Sequence, residues 1–175
     1  HEMLASKGLI GLSYFENGFR QLTNSRHPVS KLEDFQGLRL RTLQLPLFID
    51  IFKELGVNPV PLPFPELYPA LEQKVVDGQE NPINTIYYSK IHEVQKYVSL
   101  TRHVFNPQSV LIGKKTWDRF SQDEKSAIQE AAYEAAVYQR QVSREQTIKS
   151  LEAIKQAGVA VNDVSAAEVE RIKEK

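Results

Sequence analysis

The chain has 175 residues, no cysteine, and 22 basic side chains against 22 acidic ones. The missing thiols exclude cysteine catalysis, disulfides and zinc–cysteine sites, and the lack of a basic excess argues against nucleic-acid binding. With 41% hydrophobic residues and no stretch near the ~20 apolar residues of a membrane span, the chain reads as a globular protein with a substantial core.

The opening HEMLASKGLIGLSYF lacks the basic-then-apolar order of a signal peptide. Gly8 to Tyr14 reads as a short buried strand with nothing before it to pair with, followed by a turn signal at Asn17-Gly18. A turn at Gly37 leads into a short strand ending at Arg41. Leu47, Phe48, Ile51, Phe52 and Leu55 follow helical spacing, with Pro46 at the start and Gly56 just past the end. VNPVPLPF is extended, because residues before proline are pushed out of the helical region, and PELYPALEQKVV reads as a helix despite Pro69. From Pro82 a helical pattern runs to Leu100 with a break near Ile91 or His92, and Ser109 to Gly113 reads as a strand.

Ser121 and Glu124 form a capping box that opens a run without Gly or Pro to Ala157, stopping at Gly158. Some 36 residues at 1.5 Å each make a helix of about 54 Å, longer than a small domain is wide. Its Ala-rich apolar positions lose register around Gln139 to Thr147, which favours a bridge between two lobes over a coiled coil. Val159 to Val161 reads as a strand, and Ser165 with Glu168 opens a final helix. Strands alternating with helices give an α/β architecture.

The stretch VVDGQENPINT, residues 75–85, concentrates Asp77, Gln79, Glu80 and Asn81 between a turn and a proline. Asp77, Glu80 and His92 do not match a metal-binding loop, and there is no nucleophile elbow or Gly-rich phosphate loop, so neither a metal nor a cofactor is expected. Asn81 before Pro82 either caps its own helix or turns its amide toward an anion at that helix's N-terminus. A guanidinium grips a carboxylate through two parallel hydrogen bonds, and Arg41, at the end of its strand, is a candidate for that role. Arg26, Arg39 and Arg102 read as solvated surface residues, and the residues alone leave Arg41 and Arg20 undecided.

GLRLRT, then ELGVNPVPLPFPELYPALEQKVVDGQENPINTI, then KIHEVQKYVSLTRH resemble the solute-binding proteins of tripartite ATP-independent periplasmic (TRAP) transporters, the DctP-like family. The likeness runs from about Asn17 to Gly158. It implies a two-lobed α/β fold like that of type II periplasmic binding proteins, with the long helix bridging the lobes. It implies a receptor, not an enzyme, that closes around a small organic acid such as a C4-dicarboxylate in the periplasm and delivers it to a TRAP permease. Carried over by position, Arg41 forms the salt bridge to the ligand carboxylate, Asn81 contacts the same group, Phe64 packs against the ligand and Arg20 assists. Glu66, Tyr68, His103 and Gln108 lie in flanking blocks as further candidates.

The resemblance places residues 1–17 and 107–146 in what remains of lobe I, and 18–106 and 147–175 in lobe II. Family members begin with most of the first lobe, so this chain is expected to be a C-terminal fragment. Two other readings stay open: an extracytoplasmic sensor module using the same cleft, and a small hydrolase using Asp77 and Glu80 as its carboxylates. The ligand's identity and the oligomeric state are open as well.

Overall fold

The computed structural model describes residues 2–175. Its contacts divide the chain into two compact units, His1–Gly18 with Asn106–Gln146, and Phe19–Phe105 with Thr147–Lys175. In chain order the elements are α1 (Glu2–Ser6), β1 (Leu9–Asn24), β2 (Arg39–Thr42), α2 (Pro46–Glu54), β3 (Asn58–Pro61), α3 (Leu67–Glu72), β4 (Gly78–Pro82) and α4 (Ile83–Tyr88). They are followed by β5 (Tyr97–Gly113), α5 (Lys114–Trp117), α6 (Gln122–Gln156), β6 (Ala160–Asp163) and α7 (Ala166–Lys173).

The larger unit is built on a mixed sheet of order β3-β2-β4-β1-β5-β6. β2 runs parallel to both β3 and β4, with Arg41 opposite Val60 on one side and Gln79 on the other. β1 runs antiparallel to β4, pairing Arg20 with Pro82 and Leu22 with Glu80, and β5 runs parallel to β6. Because side chains alternate along a strand, Leu22, Leu40 and Glu80 share one face, and Thr23, Arg41, Gln79 and Asn81 share the other. Two separate apolar clusters enclose the sheet. One joins Leu67, Leu71, Ile83 and Ile86 of α3 and α4 to Val98, Leu100 and Ile154. The other joins Leu22 and Leu40 to Phe52 of α2, to Leu55 at its C-cap and to Ile172 of α7.

The smaller unit is built differently. Among the described residues its one buried apolar side chain is Ala136. Polar contacts hold it: Gln139 exchanges hydrogen bonds with the backbone of Glu16 at 2.8 and 2.9 Å, Ser143 Oγ donates to the Glu16 carbonyl, and Arg144 grips the Glu16 carboxylate.

Four expectations about the elements fail. Gly8 to Tyr14, read as a short buried strand, instead opens the 16-residue β1, with Tyr14 62% exposed. The Asn17-Gly18 signal makes no hairpin: both residues lie within β1, with Gly18 at φ 103° absorbing a backbone geometry that other residues rarely adopt. Tyr97 to Leu100, expected as helix, opens the 17-residue β5; the helix ends at Tyr88, Lys90 takes φ 58°, and a 3-10 turn at Ile91–Val94 follows. The stretch Gly78–Pro82, read as lying between a turn and the proline that starts a helix, is a strand between β2 and β1, buried at all five positions. The long helix and its capping box are present, with Ser121 N donating to Glu124 Oε2 and Glu124 N to Ser121 Oγ.

Candidate functional site

The parallel strands β2, β3 and β4 end at one edge of the sheet, the place where open α/β sheets present ligand-binding groups. Arg41 at the end of β2, Phe64 just past β3 and Asn81 at the end of β4 all belong to that edge. Arg20 joins them from β1, opposite Pro82.

Arg20 and Glu80 form a fully buried ion pair. The Arg20 Nε meets Glu80 Oε2, while its Nη2 donates to Glu80 Oε1 at 2.9 Å, to the Glu80 carbonyl at 2.6 Å and to Asn81 Oδ1 at 3.1 Å. His103 Nε2 stands 3.2 Å from Glu80 Oε2, and Nδ1 lies 2.7 Å from the Thr101 hydroxyl. An ionised carboxylate only accepts, so Nε2 carries the hydrogen. Burial pushes the Glu80 carboxyl up, but the hydrogen bonds from His103 and Arg20 and the Arg20 charge outweigh it, and the group ends below its ordinary value. The Phe48 ring lies 5.7 Å from the Arg20 guanidinium, and Phe52 packs edge-on against His103.

A second polar series runs through β4 and β1. Asn81 Nδ2 donates to Gln79 Oε1, Gln79 Nε2 to Thr23 Oγ1 at 3.0 Å, and Thr23 Oγ1 to Gln95 Oε1 at 2.8 Å. Gln95 Nε2 is itself anchored on the Val94 carbonyl. Each member is buried, so the asparagine amide is held from both ends.

Arg41 is the exception to this pairing. It is 2% exposed, its Nε donates to the Leu62 carbonyl at 2.9 Å, and its Nη1 is buried without a partner. Among the described residues no carboxylate pairs with it. Burial pulls its pKa below the usual arginine value, and the charge of Glu80 offsets that only in part while Arg20 adds to it. The Phe64 ring, 45% exposed, lies 5.9 Å from the guanidinium carbon. A desolvated cation with an unused donor is costly unless an anion completes it.

Residues 1–175 match the family described as Bacterial extracellular solute-binding protein, family 7. This chain belongs to the DctP family. It is 44% identical over 158 residues to the 2,3-diketo-L-gulonate-binding periplasmic protein YiaO of Escherichia coli K12, a match covering 90% of this chain and 48% of that protein. A TRAP periplasmic solute-binding protein from Ochrobactrum anthropi, with its C-terminus bound in its ligand-binding pocket, superposes with a TM-score of 0.92 at 54% identity, covering 99% of this chain and 54% of that one. The sugar acid-binding protein DctPAm from Advenella mimigardefordensis, in complex with galactonate, gives 0.91 at 48% identity, covering 99% and 56%. The chain thus spans about half the length of the DctP relatives it matches, and these relatives are binding proteins of transport systems, not enzymes.

The residues singled out in the sequence divide three ways. Arg20, Arg41, Phe64, Asn81 and His103 lie in the larger unit, tied to one another or to β4 by the contacts above. Tyr68 points elsewhere: its hydroxyl stands 3.5 Å from Glu93 in the 3-10 turn after α4, and Glu66 is an exposed residue at the start of α3. Gln108 is exposed and belongs to the smaller unit. Asn81 does not cap a helix; it is a strand residue, and Pro82 occupies the cap position before α4.

The hydrolase reading fails on geometry and on family. Glu80 is closed off by Arg20 and His103, and Asp77 is clasped by Arg39, whose backbone N donates at 2.9 Å and whose Nη2 donates at 2.9 Å. Arg39 is exposed, as expected, and it also fastens β2 to the start of β4 through Asp77. Sequence reasoning missed Gln79, Thr23, Gln95 and Phe48. The signal for Gln79 was its place inside a polar run with strand alternation, Gln79 and Asn81 on one face and Glu80 on the other.

Proposed function

We propose that this chain carries the carboxylate-gripping part of a periplasmic receptor that captures a small organic acid and delivers it to a TRAP-type permease. The observation that carries this reading is Arg41, a buried guanidinium with an unpartnered Nη1 and no counter-ion among the described residues, at the carboxyl edge of parallel strands. In this reading Arg41 takes the ligand carboxylate through the Nη1 and Nη2 edge left by the Leu62 contact. Asn81 adds its remaining N–H, and Phe64 forms an apolar wall beside the charge. Arg20 adds no free charge of its own; held by Glu80, it fixes Asn81. His103 supports Glu80 from the far side. Glu66, Tyr68 and Gln108 are given no role in the grip.

Residues 18–106 and 147–175 then form lobe II, and residues 1–17 and 107–146 belong to lobe I. The ligands of relatives favour hydroxylated acids: galactonate is bound to DctPAm, and 2,3-diketo-L-gulonate names YiaO. A chain terminus held in the Ochrobactrum pocket also fits a site that takes a carboxylate.

The test is a thermal-shift and calorimetric screen of this chain against hydroxylated acids and their uncharged sugar alcohols. At least one acid is expected to raise the melting temperature in a dose-dependent way while its alcohol does not, since a ligand bound to the native state stabilises it. No shift with any acid, or equal shifts with galactonate and galactitol, would overturn the carboxylate reading.

A further inference from the structure

The Asn81 amide is held from a distance. Resting on the carboxylate reading above, Asn81 is a neutral group whose placement decides how well an acid is met, and one N–H of its Nδ2 is spent on Gln79 Oε1. Gln79 stands directly opposite Thr23 in the register of β1 and β4, while Gln21, two residues back along β1, faces Asn81. At ~3.4 Å per residue the threonine is about 7 Å further from the edge. Gln95 lies beyond it, just before β5, where its neighbour Lys96 donates a backbone N–H to the Asn24 carbonyl at the end of β1. On its outer side Gln95 lines two surface depressions of about 600 and 260 Å³, both shared with Glu93 and Lys96 and both remote from the Asn81 end of β4.

Gln79 and Thr23 have no exposed surface, and Asn81 and Gln95 are 5% exposed, so water does not replace a bond broken within the line. Packing alone does not call for these residues. Replacing both partners of a buried hydrogen bond by apolar groups of the same shape is nearly neutral, so an apolar pair at positions 23 and 95 would fill the same space. Such a pair would take away the oxygen to which Gln79 Nε2 donates, and a glutamine loose at that end no longer fixes the asparagine. We infer that Thr23 and Gln95 are positioning residues for the grip: acting through Gln79, they hold the Asn81 amide from the end of β4 away from the ligand. Two hydrogen bonds separate Thr23 from Asn81 and a third joins Gln95 to Thr23, so a change at position 23 acts more strongly than one at position 95.

The experiment compares the chain with Thr23→Val, Thr23→Ser and Gln95→Leu. Valine keeps the shape of threonine without its hydroxyl, and serine returns the hydroxyl without the methyl. The first readout needs no ligand: the side-chain amide signals of Asn81 in a proton–nitrogen correlation spectrum, assigned by their loss in Asn81→Ser, should move in Thr23→Val and return toward their wild-type positions in Thr23→Ser. The second is calorimetry with galactonate. Its affinity should fall about tenfold in Thr23→Val, the lower end of what a hydrogen bond to a charged group is worth, fall less in Gln95→Leu, and stay within about threefold of wild type in Thr23→Ser. Urea unfolding of each variant separates the two roles, because a residue that only stabilises the sheet lowers the midpoint and leaves the affinity of the folded protein unchanged. Where Thr23→Val does not fold, Gln95→Leu decides. Unmoved Asn81 signals, or an affinity for galactonate equal to that of the wild type, overturn the positioning role and leave the carboxylate reading standing. A wild-type chain that binds neither galactonate nor any other acid of the screen overturns the carboxylate reading, and the amide signals still decide whether Thr23 holds Asn81.

Discussion

Arg41→Met separates a binding role from a structural one. The methionine matches the arginine stem in length and apolar character, so the change removes the guanidinium while keeping much of the packing. On the stability side, two terms nearly cancel. The protein loses the bond from Nε to the Leu62 carbonyl, 2.9 Å long, a contact to a charged donor worth about 1.5–3 kcal/mol. It also sheds a desolvated cation whose Nη1 has no partner, a defect costing about 1–3 kcal/mol. Leu62 is only partly buried, so water can serve its carbonyl after the change. Urea unfolding should therefore move by no more than about 2 kcal/mol in either direction. On the binding side, an acid loses a buried charge-assisted pair, about 2–5 kcal/mol, or roughly thirtyfold to several thousandfold in Kd. The two assays are urea denaturation followed by circular dichroism and calorimetry with the best acid of the screen. A variant that is much less stable yet binds with undiminished affinity would refute the reasoning, because Arg41 would then be a strut of the core.

The acid limb of stability should be set by Glu80 and Asp77. In both, burial pushes the carboxyl up, and hydrogen bonds and charges from the partners outweigh it, leaving each below its ordinary value of 4.5 or 3.8. A depressed carboxyl contributes stability that is complete above its unfolded pKa and is lost as pH falls through the folded one. Urea midpoints should be level above about pH 5 and fall progressively below about pH 4; Glu80→Gln should be less stable at neutral pH and shallower in acid, and an unchanged acid slope would remove Glu80 from this account. Gly78→Ala should cost more than about 3 kcal/mol in the same assay. A Cβ there would sit 2.0 Å from the Thr23 carbonyl oxygen and 2.9 Å from Asn24 Cα, backbone that moves only by parting β1 from β4. A loss under about 1 kcal/mol would mean the strands part easily.

Local signals made much of the fold legible. The α2 spacing between Pro46 and Gly56, the box at Ser121 and Glu124, and Ser165 accepting from Glu168 N are each contained within a few residues. The strands were harder, because their reasons lie far away in the chain. Gln79 and Glu80 read as loop residues until their partners are known, and these are Thr23 and Arg20, 56 and 60 positions earlier. Tyr97 to Leu100 looked like the end of a helix, but Val98 and Leu100 pack into one cluster while Ser99 and Thr101 are buried in polar contacts, the alternation of a strand covered on both faces. In the site, the chemistry of Arg41 was suggested by the residue type. That Arg20 is already neutralised was not, since nothing local ties residue 20 to residue 80.

The line from Gln95 to Arg20 also has a direction. Gln95 gives its N–H to the Val94 carbonyl, so its oxygen must face Thr23; the single hydroxyl proton of Thr23 goes there, which obliges Gln79 to present an N–H to Thr23 and its oxygen to Asn81. Asn81 therefore turns its nitrogen inward along the line and its oxygen to Arg20. None of these amides can flip alone without setting donor against donor. The one hydrogen Asn81 has left is a donor by construction, so a molecule arriving at this edge is sorted by hydrogen-bond polarity as well as by charge, and the choice is made by a glutamine on the other side of the sheet's central strands.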